Sequence, residues 1–205
     1  MSVLQVAMTT EAATAIPTET ETVTYVLVAA ESKFTVQAFA EGLFSAFGHD
    51  PVIHIRGFTG EVSFVPGSFA NASLEIRVDP NSLAVSEEVK EKDRLEIEQI
   101  MKGEVLESAK YTEIVFASSN ITVNKLAGER CRVRVIGELT LHGVTQKNLW
   151  ISAEATVSED SVRAHGNFSL KQSDFGIKPY SAAGGTIKLK NELKFLFEII
   201  GKKEP

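Results

Sequence analysis

The side chains best suited to chemistry in this 205-residue chain are four histidines and a single cysteine. In Gly48-His49-Asp50, followed by His54, two imidazoles and a carboxylate fall within one short stretch. Those are the donors with which a zinc or iron site activates water, so a metal-dependent hydrolase would be built here. The plainer account, and the one adopted, is that His49 stabilises a turn through backbone hydrogen bonds while His54 lies on the wet face of a strand. His142 opens the turn His142-Gly143 between two strands, and His165 alternates with Arg163 and Asn167 on a polar strand face. Cys131 sits within an alternating strand and reads as a small buried hydrophobe. A lone cysteine excludes an intrachain disulfide framework, a Cys-rich zinc site and a CxxC redox pair.

Other catalytic signatures are missing as well. There is no Gly-x-Ser-x-Gly elbow, no Walker-type loop and no Gly-x-Gly-x-x-Gly, and the carboxylates are dispersed on polar faces. Gly184-Gly185 reads as a flexible hairpin. No catalytic residue, metal ligand or cofactor is assigned, and the chain is not read as an enzyme. A formal net charge of −6, from 27 acidic and 21 basic residues, gives no electrostatic footprint for nucleic acid.

The elements that carry these residues are strands. Phe34 and Val36 oppose Lys33 and Thr35, and Leu74 and Ile76 oppose Ser73 and Glu75. The same period of two runs through Ile114 and Phe116, Cys131 to Val135, and Leu149 to Ala155. The longest run is Thr186 to Ile199, where Ile187, Leu189, Leu193, Phe195, Phe197 and Ile199 share one parity and charged residues the other. At roughly 3.3 Å per residue it would span about 45 Å, a length that suits a tall barrel. Asn191 interrupts its apolar parity and either orients a ligand head or bonds to a neighbouring strand. Turn chemistry at Gly57 to Gly60, Pro66-Gly67-Ser68 and Asp79-Pro80-Asn81-Ser82 separates the strands locally. Ser86 to Ser108 breaks the rule: it is charge-dense with helical spacings, and such an insertion beside a barrel can cap a mouth. Phe44 and Phe47, in a loop, either seal a mouth or pack into the core.

The fold class expected is all-β: an antiparallel up-and-down barrel of about eight strands, lipocalin-like, with a short helical excursion near residues 86–108. Residues 1–21, rich in Thr, Ala and Glu, are expected to be a mobile arm, and residues 22–201 one domain. No apolar run reaches the roughly 18 residues of a transmembrane helix, and the opening lacks a basic n-region and an apolar h-region. A cytoplasmic location is therefore expected, or a periplasmic one if a leader has been removed.

Several separated motifs resemble the YceI-like family. Ser32-Lys33-Phe34-Thr35-Val36 is similar to its opening strand, and Phe58-Thr59-Gly60-Glu61-Val62-Ser63-Phe64 to an arm of its second hairpin. Leu106 to Phe116, with Lys110-Tyr111-Thr112-Glu113-Ile114-Val115-Phe116, is similar to its helix-to-strand entry. Gly137-Glu138-Leu139-Thr140-Leu141-His142-Gly143-Val144-Thr145 is the most specific match, and Ser173-Asp174-Phe175-Gly176-Ile177 the next. Thr112 departs from the pattern, standing where the family often has proline, and the Phe44–Asp50 loop resembles only a subset of members.

The resemblance implies a lipocalin-like barrel that binds polyisoprenoids or other long amphiphiles. Combined with strand parity, it leads us to expect binding, storage or transport of a polyisoprenoid, isoprenoid quinone or fatty-acid-like lipid in the lumen. The expected contacts are Phe34, Val36, Leu74, Ile76, Ile114, Phe116, Val133, Val135, Leu149, Ile151, Phe168, Leu170, Asn191, Leu193, Phe195 and Phe197. The partner is thus a lipid rather than nucleic acid, and a homodimer is allowed because dimers occur in the family. A barrel filled by its own side chains and serving as a protein-interaction module has the same sequence pattern, so that alternative stays open.

Overall fold

The structure is a computed structural model describing residues 21–41, 50–182 and 187–204. Its strands are β1 (Val23–Leu27), β2 (Lys33–Glu41), β3 (Val52–Ile55), β4 (Phe58–Phe64), β5 (Ser73–Val78), β6 (Leu83–Val85), β7 (Ile114–Lys125), β8 (Arg130–Leu141), β9 (Val144–Val157), β10 (Ser161–Lys171), β11 (Ser181–Ala182) and β12 (Ile187–Lys203). They form one continuous antiparallel sheet, and β1 pairs with both β4 and β12, which closes it into an eight-stranded barrel.

Twelve strands make eight staves because several staves are kinked. β12 carries β2 along Lys188–Glu198 and β1 along Gly201–Lys203, so β1 and β2 lie end to end in one stave. Ser32 patches the gap between them. Its hydroxyl donates to the Val28 carbonyl at 2.7 Å and accepts from the Ile200 N–H at 3.0 Å, so the ladder loses no bond at the kink. β3 with β4, and β5 with β6, are broken staves of the same kind, joined across Gly57 and the turn Pro80–Ser82. With the breaks counted as bends, the connectivity is the simple up-and-down meander expected from local turns.

Glycines set the bore at two places. A Cβ on Gly137 would lie 2.5 Å from Cζ of Phe116, and one on Gly166 would lie 2.8 Å from Cζ of Phe197. Each missing side chain lets a phenyl ring from the adjacent strand lie over the backbone. Gly166→Ala should displace Phe197 and cost about 1–3 kcal/mol through overpacking, measured as a shift in the urea midpoint.

The helical excursion is α1 (Glu91–Ile100), continued by one wider π turn, Met101–Val105. It covers an edge. β6 ends the strand path and has no second strand partner among the described residues. The Glu98 carboxylate accepts the Val85 N–H of that edge at 2.9 Å, while Ser108 Oγ donates to Asn81 Oδ1 at 2.8 Å. Covering an exposed edge satisfies its donors and blocks pairing with another chain.

At the opposite end, Tyr25 stacks on Phe64 with ring centroids 5.4 Å apart, and Phe64 meets Phe69 at a tilt with centroids 5.2 Å apart. The Tyr25 hydroxyl donates towards the Ser158 and Glu159 carbonyls at 3.2 and 3.3 Å. Burial first, then the Asp160 and Glu159 carboxylates, raises this phenol above its ordinary range. A folded-state value above the unfolded one means that the stabilisation is complete below about pH 10 and is lost as pH rises through the folded value. Tyr25→Phe should cost about 0.5–1.5 kcal/mol at neutral pH for the lost hydroxyl bonds. The gap to wild type should shrink in alkaline urea titrations; a constant gap would contradict the assignment.

Candidate functional site

Because side chains alternate along every stave, one set points inward. These residues enclose a cavity of about 460 Å³ that runs most of the length of the barrel. That falls within the roughly 300–1,000 Å³ of small-molecule sites. One wall centres on Val36, Ile55, Val78 and Ile199, the other on Phe116, Val135, Leu139 and Phe175. Leu74, Leu106 and Ile114 pack against both. Within the lumen, Phe168 stacks on Phe195 with centroids 4.7 Å apart and nearly parallel rings, and Phe34 meets Phe195 and Phe197 at 6.4 Å.

Every residue named above as an expected ligand contact lines this cavity except Asn191. Between Leu189 and Leu193 the register of β12 against β2 shifts, so that three residues of β12 face Phe39 alone. Asn191 lies in that bulge. Its Oδ1 accepts the Ser173 N–H at 2.9 Å and its Nδ2 donates to Ser173 Oγ at 2.8 Å, so the amide clamps the turn after β10. Parity fails where a bulge breaks the ladder.

The structure adds lining residues that alternation does not reveal. Ile97, Ile100, Met101, Val105 and Leu106 come from the helical segment, which forms part of the cavity wall at one end. Phe175 and Ile177 come from the turn Gln172–Phe175 and its exit, with Gly176 in the left-handed region at φ 70°. Cys131 is free, buried and part of the lining. The polar members among the described residues are Lys171, Gln172 and Tyr180, grouped by the chain near the end of β10.

The histidines are spread over the barrel. His54 pairs in register with Thr35 and Ala84, its neighbours Ile53 and Ile55 facing the cavity, and His165 is exposed on β10. His49, Phe44, Phe47 and Gly184-Gly185 lie outside the described residues. No group of three or more His, Cys, Asp or Glu side chains is placed to hold a metal ion among the described residues. His142 does more than turn the chain. It adopts φ 53° before Gly143 at 73°, the pair a tight hairpin requires, and shares a 2.7 Å hydrogen bond through Nε2 with Glu107 Oε2. That contact ties the β8–β9 hairpin to the segment following the helix, with the Tyr111 ring 4.4 Å from the imidazole.

Outside, charged residues pair along and between strands, as in Arg77 with Glu75 of the same strand and with Glu113, or Arg163 of β10 with Glu198 of β12. Such exposed pairs contribute about 0–1 kcal/mol each. No helix among the described residues is long and apolar enough to cross a membrane.

A closed eight-stranded antiparallel barrel around an apolar cavity, its edge covered by one helix, places the protein among lipocalin-like barrels. The chain belongs to the YceI-like domain family, whose family model matches residues 25–199. Curated relatives include a UPF0312 protein of Vibrio parahaemolyticus, 34% identical over 97 residues, which are 47% of this chain and 46% of that protein. A UPF0312 protein of Vibrio cholerae is 32% identical over 132 residues, 62% of this chain and 64% of that one. The chain thus spans about half the length of the first and under two thirds of the second.

Among solved structures, a polyisoprenoid binding domain from Saccharophagus degradans superposes with a TM-score of 0.64 at 15% identity, covering 88% of this chain and 98% of that one. BcnA of Burkholderia cenocepacia gives 0.63 at 17%, covering 85% and 98%. The YCEI protein of Campylobacter jejuni gives 0.54 at 18%, covering 74% and 85%. At these identities the likeness is one of fold.

Proposed function

We propose that this barrel binds a long apolar or amphiphilic molecule, of the polyisoprenoid, isoprenoid quinone or fatty-acid-like class, and stores or carries it without transforming it. The observation that carries this reading is the continuous cavity of about 460 Å³ walled by aliphatic and aromatic side chains. Burial at about 0.8 kcal/mol per methylene is worth roughly 16 kcal/mol gross for a twenty-carbon tail, before ordering costs. That approaches the practical ceiling of about 18–21 kcal/mol, so a carrier must have assisted release or a loose fit, whereas a store need not.

The Saccharophagus domain, described as polyisoprenoid binding, supports the ligand class by likeness of fold. The test is solvent extraction of the purified native protein followed by mass spectrometry, with bound lipid quantified per chain. A near-stoichiometric isoprenoid, quinone or acyl lipid is expected. An extract that stays empty after exposure to lipids from the source cells would refute lipid binding and favour an interaction module.

A further inference from the structure

Gln172 stands apart within the barrel. It is only 5% exposed, and of the two buried polar side chains among the described residues it is the one that lines the cavity; the other, Ser108, bonds to Asn81. Its position follows from the bulge in β12. Where the register slips between Leu189 and Leu193, the Lys190 carbonyl receives the Gln172 amide, with Nε2 donating at 2.9 Å. A carbonyl can only accept, so this contact fixes which end of the amide is nitrogen. Oε1 is then the acceptor end of an amide that lines the cavity, and it makes no hydrogen bond to a described residue. It is not sealed away from space, since no fully buried side-chain nitrogen or oxygen among the described residues lacks a partner. The turn that holds it is rigidly tied, by Asn191 to Ser173 and by the Ile177 N–H to the Gln172 carbonyl at 3.1 Å.

We propose that Gln172 Oε1 is the recognition point for the head of the bound molecule, and that it selects an uncharged head bearing a hydroxyl. The inference rests on the lipid-binding reading above and specifies its ligand. An acceptor is matched by a donor. A hydroxyl supplies one, whereas a phosphate or carboxylate at neutral pH presents only acceptors and would face Oε1 with like charge. Lys171, the cation of the lining, is itself solvent-exposed at the strand end, so an anion drawn inside would lie largely unpaired. Tyr180, also in the lining, can accept from or donate to the same hydroxyl. The tail then extends from Gln172 towards Phe64 and Phe69 at the far end of the cavity.

The test compares three twenty-carbon probes on the intact protein: geranylgeraniol, its methyl ether and its monophosphate. Wild type should bind the alcohol about fivefold to tenfold more tightly than the ether, the ratio worth one neutral hydrogen bond, and the phosphate most weakly. Gln172→Met, of similar shape and unable to accept, should bring the alcohol-to-ether ratio close to one while leaving ether affinity nearly unchanged. The wild-type ranking needs no variant, so a Gln172→Met protein that fails to fold still leaves the assignment open to refutation. Equal wild-type affinity for alcohol and ether would overturn the head-group assignment and leave lipid binding standing. Tightest binding of the phosphate would overturn it in favour of Lys171, as would an unchanged ratio in folded Gln172→Met. Failure of all three probes would bring down both readings.

Discussion

Phe195→Glu is expected to abolish lipid retention, whereas Leu196→Glu, one residue further along the same strand, is expected to leave it intact. The two side chains point through opposite faces of one stave. Phe195 lines the lumen and stacks on Phe168, while Leu196 is 42% exposed between Thr35 and Asn167 of the flanking strands. Removing a packed phenyl ring costs about 3–5 kcal/mol, and the introduced carboxyl adds desolvation that raising its own pKa only partly relieves. Against a typical total of about 5–15 kcal/mol, that brings the fold near its margin. Phe195→Ala is therefore the companion variant, removing the ring without the charge. Leu196→Glu should shift stability by no more than about 0.5 kcal/mol. Bound lipid per chain, measured by extraction beside circular dichroism, decides the matter; full occupancy in folded Phe195→Glu would mean that the lumen is not the binding space.

Phe175→Ala should be among the most destabilising truncations in the protein, at about 3–5 kcal/mol. Phe175 is 1% exposed and packs with Phe116, Val135, Leu139 and Ile177. Its turn cannot follow it into the gap: Gly176 is held at φ 70°, Gln146 Nε2 donates to the Asp174 carbonyl at 2.5 Å, and Asn191 grips Ser173. A site that cannot collapse keeps its void, the condition under which truncation is most costly. Urea denaturation monitored by circular dichroism measures the loss. A change under about 1 kcal/mol would mean that the ring is not packed as described.

What the sequence revealed and what it concealed divide along a physical line. Alternation reports which residues share a face of an unbroken ladder, so Phe116, Val135, Leu149 and Phe195 were legible as one surface. The specific strings around Gly137–Thr145 and Ser173–Ile177 pointed to the same barrel. Contacts made by irregular backbone leave no period. Asn191 shares parity with Leu189 and Leu193, yet a bulge removes it from the lining and places Gln172 there instead. The pairing of Glu107 with His142 depends on two backbone sites at positive φ in segments far apart in sequence. The kinks at Ser32 and Gly57 likewise divide staves in ways that a count of hydrophobic runs cannot resolve.

Barrel closure has a kinetic consequence. Most adjacent staves are successive in the chain and can pair as hairpins, but the seam where Tyr25 meets Lys203 joins the first strand to the last. Loop-closure entropy grows only slowly, by about 0.6 kcal/mol per doubling of length, yet that contact cannot be rewarded until almost the whole chain is in place. Non-local pairing of this kind puts folding in the range of about milliseconds to seconds, against microseconds for helical bundles. Until the seam shuts, the molecule is an open curved sheet with its entire dry face turned to water. Aggregation competes during that interval, while the surface that later becomes the lumen is at its most accessible.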